Sequence, residues 1–244
     1  MKNLCLLIFT CLLCFSCKEA EPKLPHYTIT GTAKGVYNGV RIHLKSSDDK
    51  EKDKIVSTRM VRNESFSIEG RVNMPTLYNI SIDGIQGKLP IMVENSNINI
   101  DINKSKIEES KITGSKAQED YDRFYIGFNK LDKEIFATVK EFRKYRSQNN
   151  KTKLDSLSNQ MKIIDNKKTQ YVIDFINNNE DNFFSLFLIS KQLNNKKLDA
   201  KKYMDAFNNL SSEIKSSKKG IEIKLKLENL LDNYLKTNQP KIEK

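Results

Sequence analysis

From Tyr27 to about Gly114 the chain alternates apolar and polar residues over short runs, and from Ser115 onward the apolar residues recur at intervals of three and four. The first period belongs to half-buried strands and the second to amphipathic helices. In YTITGTAK, Tyr27, Ile29, Gly31 and Ala33 share one face, and Val40, Ile42 and Leu44 do the same in VRIHLK. Phe66, Ile68 and Val72 repeat the pattern, followed by Tyr78, Ile80 and Ile82, and then by Ile98, Ile100 and Ile102. KLPIMVE, a ragged KIVSTRMV and KITG bring the expectation to about seven to eight strands, a number that suits an antiparallel β-sandwich or an open barrel. Residues that tolerate positive φ separate the runs at Tyr37-Asn38-Gly39, Asp83-Gly84 and Gly87.

At Ser115 the period changes. SKAQ reads as a capping box, with Ser115 accepting from the Gln118 backbone while the Gln118 side chain reaches back to the cap. Tyr121, Phe124, Phe128, Leu131, Ile135, Phe142 and Tyr145 then form a long seam, with Thr138 and Val139 covering one gap. After the polar break QNNK, TKLD offers a second cap. Leu154, Leu157, Met161, Ile164, Tyr171 and Phe175 continue the spacing, interrupted by Lys168. Two such segments joined by a short loop predict an antiparallel helical hairpin whose aromatic stripe is core. FINNNEDNFFSLFLISKQ, LDAKKYMDAFNNL and GIEIKLKLENLLDNYLK read as three shorter helices. No Pro falls between Pro90 and Pro240 to interrupt them. The fold class expected is therefore α+β, with a sandwich over 27–114, a helical domain over 115–236 and a polar tail over 237–244.

The first residues follow neither period. Lys2 is a positive n-region, Leu4 to Phe15 form a short apolar run, and Ser16 stands before Cys17, the order of a secretory signal. The run falls short of the roughly 20 apolar residues a membrane-spanning helix needs. Leu13-Cys14-Phe15-Ser16-Cys17 resembles a bacterial lipoprotein signal, with Cys14 where Leu is usual; an ordinary cleavage site with an incidental cysteine is the competing reading. The resemblance implies a signal peptide over 1–16, cleavage between Ser16 and Cys17, and Cys17 as an N-palmitoyl, S-diacylglycerol cysteine. Burial of acyl carbons contributes about 0.8 kcal/mol per CH₂, so several chains on one residue hold a protein to a bilayer. Pro22 and Pro25 stiffen the lipidated tether over 17–26. Lys18 is not the Asp of inner-membrane retention, which directs the expectation to the outer membrane, facing the periplasm or the cell surface.

Composition narrows the chemistry. Cleavage before Cys17 would remove Cys5, Cys11 and Cys14 and leave the fourth cysteine alkylated, so the mature chain would hold no free thiol, disulfide or thiolate ligand. His26 and His43 are the only imidazoles and no metal-binding spacing surrounds them. The net charge of +11 comes mainly from Lys with acidic residues interspersed, as in SSDDKEKDK and KSKIEESK, rather than from an Arg-rich, aromatic-laced stripe. It reads as solvated surface and not as a nucleic-acid footprint. No nucleophile elbow, zinc-protease, phosphate-loop, EF-hand or dinucleotide motif occurs. The Asp48, Asp49, Glu51, Asp53 group and the pair Glu108 and Glu109 read as surface carboxylates. No catalytic, metal or cofactor-binding residue and no cofactor is expected.

The order of pieces is more specific than any one of them. TITGTAKGV.NG, VRIHL, SFSIEG, P.LY.ISI and IMVENSNINI precede ITGSKAQEDYDRF. This resembles the N-terminal domain of unknown function that precedes thioredoxin-like domains, of the alkyl hydroperoxide reductase and thiol-disulfide interchange type, in Gram-negative envelope lipoproteins. YVIDFINNNEDNFFSLFLI and SSEIKSSKKGIEIKLKL sit where that family has its connecting helices. Two departures stand out. Asn63-Glu64 occupies the place of an Asp/Asn-Gly turn, and the chain ends at TNQPKIEK where the family commonly continues into a CxxC-bearing domain. Together these features imply a non-catalytic envelope lipoprotein that binds or scaffolds a partner, an envelope protein or a glycan, with no nucleic acid and an open oligomeric state. The alternative is an accessory role in a thiol-disulfide system whose thioredoxin-like domain lies on another chain. A hydrolase or glycan site between the two halves is a third reading, and it requires a concave pocket with converging polar groups.

Overall fold

A computed structural model describes residues 26–48, 51–195 and 198–237. Cys5, Cys11, Cys14 and Cys17, the Ser16–Cys17 cleavage position and Pro22 and Pro25 lie outside the described residues. Eight strands come first: β1 Tyr27–Thr32, β2 Arg41–Ser46, β3 Ile55–Met60, β4 Ser65–Gly70, β5 Thr76–Ile82, β6 Leu89–Val93, β7 Asn97–Asp101 and β8 Lys111–Thr113. They form two four-stranded sheets, ordered β4-β1-β7-β8 and β3-β2-β5-β6. The sheets stay separate, so the open-barrel alternative falls away. Ile29, Ile42, Leu44, Ile68, Ile80 and Ile98 are buried between them, which is the face the alternation assigns, and Ile91 of β6 joins them.

One pairing is not antiparallel: β1 lies parallel to β7, with Ile29 opposite Ile98. A parallel pair needs a long connection. Here that connection runs through β2 to β6, and four of those strands build the opposite sheet. The ragged KIVSTRMV becomes β3, an edge strand with Ile55, Val56 and Met60 about half exposed.

Asn63 and Glu64 both take positive φ, 50° and 57°, so the two-residue turn keeps its glycine-type geometry without a glycine. Reciprocal bonds close it, from Arg62 N–H to the Ser65 carbonyl at 2.9 Å and from Ser65 N–H to the Arg62 carbonyl at 3.0 Å. Glu64 is then held by its neighbours. Its carbonyl accepts from Ala33 N–H at 2.7 Å and its carboxylate from Gly35 N–H at 2.7 Å. These bonds offset a strain of about 1 kcal/mol.

Six helices follow: α1 Lys116–Ser147, α2 Lys151–Asn177, α3 Phe183–Gln192, α4 Ala200–Asn209, α5 Ser212–Ser216 and α6 Lys218–Thr237. α1 and α2 are the expected antiparallel hairpin. Their shared end is an aromatic cluster in which the Phe124 ring lies 5.0 Å from Phe128, 5.4 Å from Tyr171, 5.2 Å from Phe175 and 5.6 Å from Phe184. Lys168 does not break the seam, because its ammonium sits 4.8 Å over the Phe128 ring and pairs with Asp132 on α1.

Three details differ from the periodicity. The cap of α2 is Asn150, whose side chain accepts from Lys153 N–H at 3.1 Å, two residues before Thr152. FIN of FINNNE closes α2, and α3 begins at Phe183 after an Asn182 cap. The one-turn helix α5 was not legible, since five residues are too few to show a 3.6 period.

Candidate functional site

The two halves meet where β6 gives way to α1. Ser115 caps α1 by accepting from Gln118 N–H at 3.1 Å, which is half of the expected capping box. The other half is absent. The Gln118 side chain turns to the sheet instead: its Oε1 accepts from the buried Met92 N–H at 2.8 Å, and its Nε2 donates to Asp122 at 2.8 Å. Burial pushes the Asp122 carboxyl above its ordinary value, opposed by that Gln118 bond. Glu94 completes the joint, accepting from Ser115 Oγ at 3.0 Å and from Ala117 N–H at 3.1 Å. A carboxylate there also meets the positive end of the α1 dipole.

One turn further along α1, Asp120 is buried although it is charged, with its side chain 3% exposed. A buried carboxylate requires partners, and three residues supply them. Arg123 donates to one carboxylate oxygen at 2.7 Å, Asn182 donates to the other, and the Lys116 ammonium lies 3.9 Å away. Arg123 also donates to Asn179 Oδ1 at 2.7 Å and sits 5.5 Å from the Phe175 ring. This network pins the α2–α3 loop to the start of α1. Above it opens a cleft of about 490 Å³, floored by Pro75 and Phe183 and rimmed by the exposed Asn178, Glu180 and Asp181.

The cleft lining holds carboxylates, amides, a guanidinium and an ammonium, but no hydroxyl, thiol or imidazole. What it offers a ligand is a dense set of donors and acceptors beside two small apolar surfaces. Asp120, Arg123, Asn179 and Asn182 were not singled out by their spacing. Two signals were present: Asp120 falls one turn before Phe124 on the apolar side of α1, and the NNNEDN run supplies the amides.

A second opening lies on the other side of Pro75, between the start of β5, α3 and α6, with a volume of about 380 Å³. Met74, Leu77, Leu186 and Phe187 line it, and Lys219, Glu222 and Lys226 stand on its α6 side. The Glu222 carboxyl is held down at about 2 by its bonds to Lys226 and Lys219.

The residues weighed in the sequence are scattered by the fold. His26 is exposed. His43 is buried on the outer face of its sheet, where its Nδ1 is 2.9 Å from Thr58 Oγ1 and its Nε2 is 3.1 Å from Asp83. Arg41 and His43 hold the Asp83 carboxyl below the usual carboxylate range. Neither histidine lines either opening, whereas Asp48 borders the second. Asp49 lies outside the described residues. Glu51 pairs with Lys54 at 2.7 Å, Asp53 lies 3.5 Å from Lys88, and Glu109 pairs with Lys106 at 2.9 Å. Among the described residues no cluster of His, Cys, Asp and Glu could hold a metal ion, and no helix is long and apolar enough to cross a membrane.

Residues 27–121 match the family model of a domain of unknown function (DUF4369), which bears out the resemblance to an N-terminal domain of unknown function over the sandwich and the first turns of α1. No curated protein and no solved structure matches the chain.

Proposed function

We propose that the DUF4369 sandwich and the helices docked on it form a non-catalytic binding module, held at the outer membrane by lipid on Cys17, that takes an envelope glycan or protein at the joint between its halves. The observation that carries this reading is the polar cleft, where Asp120, Arg123, Asn179 and Asn182 converge in fixed hydrogen bonds at the meeting of two separately packed layers. Ligand sites favour such boundaries, and groups already ordered by one another lose little freedom on binding. Reading residues 1–17 as a lipoprotein signal supports the membrane side of the proposal.

Two measurements test it. Affinity capture of the full lipoprotein from cross-linked envelopes should recover a reproducible protein or glycan. Asn178→Ala combined with Glu180→Ala, on the exposed rim, should reduce that recovery at least severalfold without lowering Tm. Recovery of nothing, or recovery indifferent to the rim, counts against the cleft. Replacing Cys17 by Ser should move the protein out of the membrane fraction, while Cys14→Ser should not; retention of the Cys17 variant would overturn the anchor. Loss of the protein should leave the thiol state of other envelope proteins unchanged, and a shift there would favour the thiol-disulfide accessory role instead.

A further inference from the structure

We infer that the second opening, between the start of β5, α3 and α6, binds a medium-chain fatty acid, with the acyl chain on the apolar floor and the carboxylate at the lysines of α6. It is distinct from the polar cleft, and only Pro75 borders both.

The floor is built from Met74, Leu77, Leu186 and Phe187, of which Leu186 is fully buried and the others are partly covered members of the helical core. Two hydroxyls beside that floor are already engaged. Ser190 Oγ donates to the Phe187 carbonyl at 2.7 Å, and Ser47 Oγ accepts from the Asn79 amide at 2.5 Å. A guest lying on those four side chains meets apolar carbon, which suits a hydrocarbon chain and penalises a peptide backbone that must satisfy its own N–H and C=O groups.

The mouth has the opposite character. Lys191, Lys219 and Lys226 face Asp48 and Glu222, three ammonium groups against two carboxylates, which leaves a surplus of one positive charge. Lys219 and Lys226 each donate to the Glu222 carboxylate, at 2.9 Å and 2.6 Å, so a guest carboxylate at this edge shares their ammonium groups with Glu222. Lys191 lies 5.7 Å from the Phe187 ring, above the floor, where its charge extends the positive rim toward α3. An apolar trough with a net cationic edge selects an anionic single-chain amphiphile over a neutral or cationic one. Its volume of about 380 Å³ is at the small end of ligand sites, which argues for one chain rather than two.

The test is calorimetric titration of the full chain with sodium laurate below its micelle concentration, at low salt, beside dodecyltrimethylammonium and a short acidic peptide. Saturable binding of one laurate per chain is expected, with dodecyltrimethylammonium at least tenfold weaker and the peptide weaker still. Lys219→Gln with Lys226→Gln should weaken laurate at least tenfold, and both positions are partly exposed, so a circular-dichroism melt checks that the variant folds. If it does not fold, the head-group comparison on the unaltered chain decides. Absence of saturable laurate binding, equal affinity for the cationic amphiphile, tighter binding of the peptide, or full affinity in a folded double variant would each overturn the assignment. Failure here leaves the polar cleft untouched, because the rim variants of that cleft and capture from envelopes read a different surface.

Discussion

Gly31 and Phe66 face each other across the β1–β4 ladder, and four positions away in register Tyr27 faces Gly70. A Cβ on Gly31 would lie 2.1 Å from the Phe66 ring, and one on Gly70 would lie 2.3 Å from the Tyr27 hydroxyl. Each aromatic therefore covers a glycine opposite it, replacing the packing the missing side chain would give. Gly31→Val should force the Phe66 ring aside and cost about 1–3 kcal/mol, read as a lower urea midpoint at unchanged slope. Combined with Phe66→Ala it should cost clearly less than the sum of the two, and strict additivity would show that the pair is not coupled. The alternation places Gly31 on the inner face correctly, but nothing in one strand says which residue stands across from it. Charge gives a second prediction at this scale. Glu222 is depressed from its ordinary 4.5 to about 2, chiefly by its bond to Lys226 and then to Lys219. A carboxyl held lower in the folded state stabilises fully above its unfolded value and loses that contribution as pH falls through the folded one. The loss should therefore fall between about pH 4.5 and about pH 2. These side chains are roughly half exposed, so solvent screening limits the contribution to about 0.5–1 kcal/mol. Urea unfolding of Glu222→Gln should show a smaller drop over that window than the unaltered chain, and an equal drop would rule the pair out as its source.

Between elements, the decisive contact is made by a residue whose sequence role was only half legible. S-x-x-Q marks the start of α1, and Ser115 performs the capping that the pattern implies. Gln118 is not free to return to the cap because its carbonyl oxygen satisfies the Met92 N–H, a β6 donor turned toward the helices and away from its own sheet. Local pattern cannot show a partner that tertiary packing brings in from 26 residues earlier. Gln118→Leu keeps the volume but leaves that N–H buried without an acceptor, at a cost of about 1–3 kcal/mol. The cost should be concentrated at the joint. Hydrogen exchange should speed up at the Met92 amide more than at Ile91 or Ile98, and a uniform acceleration through the sandwich would mean that Gln118 supports the fold generally and does not staple two elements. The same reasoning explains why the hairpin was legible and the cleft was not. Repeated apolar spacing announces α1 and α2, whereas Asp120, Arg123, Asn179 and Asn182 come together only once α1, the α2–α3 loop and α3 are docked.

At the scale of the molecule, two separate hydrophobic cores meet along a narrow boundary. One is centred on Ile29, Ile42, Ile80 and Ile98 between the sheets. The other is centred on Phe124, Phe184 and Phe207 among the helices, and Met92 is the sandwich residue buried in it. The change of hydrophobic period at Ser115 makes this division visible in the sequence, because each period can bury its face only against elements of its own kind or across one shared edge. Apart from Met92, the boundary is held mainly by the hydrogen bonds of Gln118 and Glu94 and the partly buried Met74 and Leu77. Such a joint transmits a local loss weakly. Phe207 is fully buried in the helical core, and its truncation to Ala should cost about 3–5 kcal/mol there. If the cores open as separate cooperative units, exchange mapped along the chain should then show amides of α4 and α6 losing protection, while those of β1, β2 and β7 keep nearly all of theirs. The reverse experiment, Ile29→Ala, should expose the sandwich and spare α3 and α4. Loss of protection in both halves from either substitution would mean that the joint couples them into one unit. In that case the polar cleft would be part of a single cooperative core, and its ligand would be expected to raise the stability of the sandwich as much as that of the helices.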